Sequence, residues 1–414
     1  MYRVSGAYEQ QDPIESAVRT AGTENGGGKL LGVSSSDPAA YVVEIAPREG
    51  LSERRYYDAA TYLLRRVDVS DYDGHTRISE YGDYRKVSGR MVPFSRTYRT
   101  DFYSGSHSYT VVTYEPVRAS AASLSIPAPR ALFSLQGRDS VTIPAEFTDD
   151  GIIVRVNVGQ RGLDLLLDSG SSSIVLDGSV AGDLGLALHD KRVESFGGLY
   201  STANAQIDDV SIGPLHASSV SIDIAPVDDV LAPGAAGVAE TKRAVGLLGC
   251  DFIASGALEV DFAGKSLTLF AQPPADLQAK GWTELPITLD ECVPLAKAAF
   301  SGLPGQFILD LGAYDTILYD HYFSQFKASS APSQGDPVIA SGSFIGGDEV
   351  RFQTYTMGTL RIGDLLAMGV IVDVPLTKKA QERDYDGLLG RPTLANFVML
   401  FDYAHERVYL KPVT

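Results

Sequence analysis

The chain has 414 residues, too many for one ordinary core and enough for two or three domains. Its formal net charge of −17 argues against nucleic acid or an anionic membrane as the main partner, because phosphates are repelled. No apolar run reaches the roughly 20 residues that cross a bilayer, so no integral membrane segment is expected. The opening MYRVSGAYEQ has neither the basic start nor the apolar stretch of a leader, which is expected to be missing from this chain.

Residues 1–36 are polar and contain Gly26-Gly27-Gly28 and Ser34-Ser35-Ser36, the composition of a loop. Strand-like runs follow at Tyr41–Ile45, Arg55–Tyr57, Tyr62–Val69, Arg85–Pro93 and Tyr109–Tyr114, with turn signals such as Asp73-Gly74 and Ser104-Gly105 between them. Residues 1–117 therefore read as an antiparallel β domain. Residues 118–138 begin RASAASLSIPAPR, small and proline-containing, and read as a linker.

The remainder repeats itself. In the first copy Ile152–Val158 and Leu163–Leu167 lead to Asp168-Ser169-Gly170, then Gly246-Leu247-Leu248-Gly249, then Leu258–Phe262. In the second, Val293–Phe300 and Phe307–Leu309 lead to Asp310-Leu311-Gly312, then Gly387-Leu388-Leu389-Gly390, then Val398–Asp402. Asp168 to Gly249 is 81 positions and Asp310 to Gly390 is 80; Asp168 to Asp261 is 93 and Asp310 to Asp402 is 92. The register points to two related β units, residues 139–275 and 276–414.

Each copy runs an apolar strand straight into an aspartate. A carboxylate at the end of a buried strand is costly unless hydrogen-bonded or paired. A glycine two positions later lets the backbone turn its N–H groups toward it. Brought together across a pseudo-twofold axis, two such carboxyls share a proton and titrate as a pair. One then takes a proton from water while the other polarises a carbonyl.

Residues from about 140 to 412 resemble the aspartyl peptidases of the pepsin and retropepsin type, especially bacterial members with two retropepsin-like units in one chain. Leu166–Ser172 resembles the catalytic turn, and Gly246–Ile253 and Gly387–Leu394 the glycine turn and short helix beneath it. The resemblance implies a mostly β, bilobal pepsin-like fold behind the N-terminal β domain. It implies Asp168 and Asp310 as catalytic residues of an aspartic endopeptidase. Ser169, Gly170, Ser171, Leu311, Gly312 and Ala313 would support the catalytic loops. Phe196, Gly197, Gly198 and Tyr200, with Phe344, Ile345 and Gly346, would lie on flaps over a peptide cleft; ordinary hairpin turns are the alternative. It further implies a peptide or protein substrate, no cofactor and no metal, and a periplasmic or secreted location.

The second turn departs from the family at Leu311, where a Thr or Ser hydroxyl normally ties the loops together. That opens a second reading, a degenerate pepsin-like protein that binds peptides or proteins without cleaving them. Asp315 either raises Asp310 by like-charge repulsion or is solvated. The six histidines form no metal-ligand spacing. Ser171–Ser173 lack the Gly-x-Ser-x-Gly elbow, and Gly264-Lys265-Ser266 reads as a β-turn rather than a phosphate loop. Cys250 and Cys292 fit either a disulfide or two buried thiols. Around residues 56–93 there is a faint similarity to the half-barrel of periplasmic lipoprotein carriers, against a plain structural β domain. Oligomeric state stays open.

Overall fold

The structure, a computed structural model, describes residues 28–34, 38–45, 53–70, 76–100, 106–114, 131–149, 151–195, 199–227, 231, 244–329, 333–343, 349–376 and 385–413. The chain divides into two compact units, one reaching residue 125 and one from residue 126 onward. No helix among the described residues is long and apolar enough to cross a membrane.

The N-terminal unit is one antiparallel meander. Its strands β1 (Gly28–Ser34), β2 (Ala40–Ile45), β3 (Glu53–Asp58), β4 (Leu64–Ser70), β5 (Thr76–Val87), β6 (Arg90–Thr100) and β7 (Ser106–Thr110) pair in sequence order. Val43, Ile45, Tyr57, Ile78 and Phe94 are among its buried residues. Arg85–Pro93, expected as one strand, is instead a hairpin, with Val87 opposite Arg90. Ser88 and Gly89 both take positive φ, 50° and 87°, which gives the two-residue turn whose twist matches its strands.

The second unit contains two lobes. Lobe 1 is built from β8 (Ser140–Thr142), β9 (Ala145–Thr148), β10 (Gly151–Val158), β11 (Arg161–Leu167), β12 (Ile174–Asp177), helix α1 (Gly178–Asp183), β13 (His189–Ser195), β14 (Leu199–Ile212), β15 (Leu215–Ala225), β16 (Gly246–Leu248), α2 (Cys250–Ile253), β17 (Ala257–Asp261) and β18 (Ser266–Phe270). Lobe 2 has β19 (Thr283–Asp290), β20 (Val293–Phe300), β21 (Leu303–Leu309), β22 (Ile317–Leu318), α3 (Asp320–Ser329), β23 (Ser333–Ser343), β24 (Glu349–Ile362), β25 (Leu365–Pro375), β26 (Gly387–Leu389), α4 (Arg391–Leu394), β27 (Phe397–Asp402) and β28 (Arg407–Pro412).

The repeat in the sequence is a repeat in topology. Lobe 1 orders its strands β13-β14-β15-β12-β16-β11-β10, and lobe 2 orders them β23-β24-β25-β22-β26-β21-β20. In each, the Gly-Leu-Leu strand is inserted between the strand that leads into the aspartate and the strand that follows it. It runs parallel to the first and antiparallel to the second. Gly249 and Gly390 end these insertions. A Cβ on Gly249 would strike the carbonyls of Ser171 and Ser173, and one on Gly390 those of Ala313 and Asp315. The spacing of the glycines in the sequence is the spacing of these close approaches.

The lobes are joined by a sheet that both build, β8-β18-β17-β27-β28-β19. At its centre Leu258 pairs with Phe401 and Val260 with Met399, and all four are fully buried. A disulfide between Cys250 of α2 and Cys292 of the β19–β20 turn adds a covalent tie. Gly264-Lys265-Ser266 closes the β17–β18 hairpin, as expected, with the Gly264 N–H on Asp261 Oδ1 at 2.8 Å. The expected linker 118–138 is too long at its C-terminal end. Phe133 is fully buried, its N–H bonds Ser255 Oγ at 3.1 Å, and its ring meets Phe252 edge-on at 6.0 Å. A large apolar side chain within a small-residue stretch is driven into the nearest core, so lobe 1 starts by residue 133.

Candidate active site

Asp168 and Asp310 stand at equivalent places. Each follows an inner strand whose last residue, Leu167 or Leu309, is fully buried. The N–H of Asp168 bonds the Leu248 carbonyl at 3.1 Å, and that of Asp310 bonds the Leu389 carbonyl at 3.0 Å. The glycine after each aspartate turns its amide back on the carboxyl: Gly170 N to Asp168 Oδ1 is 2.8 Å, and Gly312 N to Asp310 Oδ1 is 2.9 Å. Asp310 Oδ1 also accepts from Ala313 N at 3.0 Å.

The two turns face each other. A Cβ on Gly170 would lie 2.6 Å from Asp310 Oδ2, and one on Gly312 would lie 2.6 Å from Asp168 Oδ1. Glycine is required at both places because the opposite carboxyl occupies the space of a side chain. The two carboxyls are joined by a hydrogen bond. Burial, and then the charge of Asp310, push Asp168 well above the usual carboxylate range. Burial raises Asp310 too, but the Ala313 amide, the hydrogen bond from Asp168, the Gly312 amide and the Arg391 guanidinium oppose the rise. Both carboxyls are raised, and in contact they titrate as a pair. Neither residue is fully enclosed, so solvent reaches the pair.

Ser169, fully buried, spans both lobes. Its Oγ donates to the Leu309 carbonyl at 2.7 Å and accepts from the Leu311 N–H at 2.8 Å. Leu311 is also fully buried and lies in the main apolar core, so the opposite half of this tie has packing where a hydroxyl would have bonded. Ser171 Oγ stays within its own turn, donating to the Ser173 carbonyl at 2.9 Å.

Behind each turn sits a second aspartate that the sequence did not reveal. In lobe 1 Asp223 accepts from Ser173 Oγ and Asn204 Nδ2, both at 2.5 Å. At the equivalent place in lobe 2, Asp373 accepts from Thr354 Oγ1 at 2.5 Å and shares a hydrogen bond with Asp315. Asp315 thus acts on Asp373 rather than on Asp310. Burial, then the charge of Asp373, raise its pKa to about 6, against the pull of Arg391. Arg391 was also missed. This buried side chain reaches the Asp149 carbonyl of lobe 1 through Nη1 at 2.9 Å, and its guanidinium lies 5.2 Å from the Tyr314 ring centre.

The described residues next to the expected flaps pair across two equivalent hairpins. Ser195 pairs with Leu199 and Glu194 with Tyr200 between β13 and β14, and Ser343 pairs with Glu349 between β23 and β24. Phe196, Gly197, Gly198, Phe344, Ile345 and Gly346 lie outside the described residues. Among the described residues no cluster of His, Cys, Asp and Glu is placed to hold a metal ion.

An aspartyl protease family model matches residues 152–252, which run from β10 through Asp168 to α2. A crystal structure of the aspartic proteinase from Irpex lacteus is similar at 16% identity, covering 66% of this chain and 98% of that one, with a TM-score of 0.41. No curated protein matches the chain.

Proposed function

We propose that the protein is an aspartic endopeptidase in which Asp168 and Asp310 activate a water molecule against a peptide bond. The observation that carries this reading is the hydrogen-bonded carboxyl pair, one member from each lobe, with unequal surroundings. Two carboxyls in contact hold one proton between them. Asp310, the member on which the Arg391 charge acts, is the base. It takes a proton from water as the water oxygen bonds the peptide carbon, while Asp168 gives its proton to the carbonyl oxygen. Asp310 then passes its proton to the amide nitrogen as the C–N bond breaks. Asp168 recovers a proton from the diol as the new carboxyl forms. No covalent enzyme intermediate is required.

The alternative, a peptide binder that does not cut, draws on Leu311. Ser169 weakens it: one hydroxyl bonds the backbone on both sides of Asp310, so half of the loop tie is in place. The disulfide supports an oxidising setting, periplasmic or secreted. The test is digestion of a diverse peptide pool across acid to neutral pH, read by mass spectrometry, with Asp310→Asn as the control. Cleavage by the wild type alone supports the peptidase. Tight peptide retention without new termini supports the binder.

A further inference from the structure

The two halves correspond closely at the short helix behind each catalytic turn. Helix α2 opens with Cys250, directly after Gly249, and helix α4 opens with Arg391, directly after Gly390. Each first residue holds its own turn. The Cys250 amide donates to the Ser171 carbonyl at 3.0 Å, and the Arg391 amide donates to the Ala313 carbonyl at 3.1 Å. Ser171 and Ala313 are each the third residue after their aspartate. Each side chain then crosses to the other lobe. Cys250 is joined covalently to Cys292, between β19 and β20. Arg391 Nη1 donates to the Asp149 carbonyl, between β9 and β10, at 2.9 Å. The two destinations correspond as well: Asp149 lies 19 positions before Asp168, and Cys292 lies 18 before Asp310.

The two crossings differ in chemistry. A half-cystine fills the place in α2, so the backbone at this point does not itself call for a cation. Arg391 is only 7% exposed, and a guanidinium in such a site is costly unless its charge and its N–H groups are met. They are met around Asp310. Nε reaches the Ala313 carbonyl at 3.4 Å while Nη1 bonds Asp149, so one planar head spans from the catalytic turn of lobe 2 to lobe 1. The amide of the same Ala313 donates to Asp310 Oδ1 at 3.0 Å. Ala313 therefore links the guanidinium to the carboxyl through two hydrogen bonds. The Tyr314 ring, 5.2 Å from the guanidinium, flanks this head. The charge of Arg391 acts on Asp310, and on Asp315 beside it, against the rise that burial causes in both.

We propose that Arg391 is a positioning residue for Asp310, bridging the Ala313 carbonyl of its turn to the Asp149 carbonyl of lobe 1, as the disulfide bridges the turn of Asp168 to lobe 2. This rests on the peptidase reading of the site. The guanidinium donates in two directions from one rigid plane, which a single ammonium does not. Its positive charge also favours the ionised form of the carboxyl that it holds in place. The dyad thus has one covalent and one hydrogen-bonded tie across the lobes, at places related by the same repeat that supplies the two aspartates.

The test uses the full chain with Arg391→Gln and Arg391→Lys. Glutamine removes both the charge and the bridge. Carbon-13 NMR of the aspartate carboxyls, assigned with Asp168→Asn and Asp310→Asn, reads the pair directly. Its first ionisation is expected to rise by about one pH unit in Arg391→Gln, and the acid limb of the kcat/KM profile moves with it. Lysine keeps the charge and gives up the bridge. Its carboxyl titration is expected to stay at the wild-type position while kcat falls about tenfold at unchanged KM, the size of one lost hydrogen bond. An unmoved carboxyl titration in Arg391→Gln, or a wild-type kcat in Arg391→Lys, overturns the inference whatever happens to Tm. If glutamine prevents folding, lysine decides; if neither variant folds, Arg391 serves the fold and the positioning role is overturned. If the wild type cleaves no peptide, the peptidase reading fails, and the carboxyl titration of Arg391→Gln still decides the role of Arg391.

Discussion

Ser169→Ala removes one hydroxyl that serves both lobes at once. The oxygen is fully buried and makes two bonds, 2.7 Å to the Leu309 carbonyl and 2.8 Å from the Leu311 amide. Each bond contributes about 0.5–1.5 kcal/mol net, and each partner left unsatisfied in the core costs about 1–3 kcal/mol, so the loss comes to roughly 2–4 kcal/mol. That is a large part of the roughly 5–15 kcal/mol that holds a folded domain together. For a unit of this size it lowers Tm by about 5–15 °C. The bonds flank Asp310 on either side, so their loss also loosens the carboxyl pair. A displacement of about 1 Å at reacting groups costs about a hundredfold in rate, and kcat is expected to fall by one to two orders of magnitude. Calorimetry and peptide hydrolysis measure the two effects, and Ser169→Thr, which keeps the hydroxyl, is expected to retain most of both. A Ser169→Ala protein with the Tm and kcat of the wild type would refute the reasoning.

Two further outcomes follow from the same geometry. Replacing Cys250 and Cys292 together by serine opens a link that closes 42 positions of chain. Chain entropy puts its loss at about 4 kcal/mol; an unchanged Tm would show that the shared sheet alone sets the stability. Asp315→Asn removes one member of the Asp315–Asp373 pair, which Thr354 and Arg391 also face. The folded pKa of Asp315, about 6, lies above its ordinary 3.8. The protonated form is thus favoured by folding, so its contribution is complete below the ordinary value and is lost as pH rises through the folded one. Wild-type Tm should fall more steeply than that of Asp315→Asn across this window, and parallel curves would contradict the pairing.

The parts of this molecule that could be read from its sequence are those in which backbone approaches backbone. Gly249 and Gly390 are dictated by carbonyls within contact distance, and Gly170 and Gly312 by the opposite carboxyl. Such positions accept no other residue, so they recur at fixed spacing and reveal both the repeat and the pair. Side-chain partners leave no such trace. Asp373 lies 58 positions from Asp315 in sequence (373 − 315), and only the parallel pairing of β22 with β25 brings them together. Phe133 sits in a stretch whose small residues and prolines outweigh one aromatic ring. Arg85–Pro93 was read through its own turn because Ser88-Gly89 is a weaker hairpin signal than Asn-Gly.

The central claim is that Asp168 and Asp310 together activate water for peptide hydrolysis. It is tested most directly by digesting peptides in oxygen-18 water with the wild type, Asp168→Asn and Asp310→Asn, across pH. The expected result is acid-side cleavage by the wild type, with one heavy oxygen in each new carboxyl terminus and a bell-shaped profile, and loss of cleavage in both variants. Cleavage that survives in either asparagine variant, or a wild type that binds peptides and releases them whole, would contradict it.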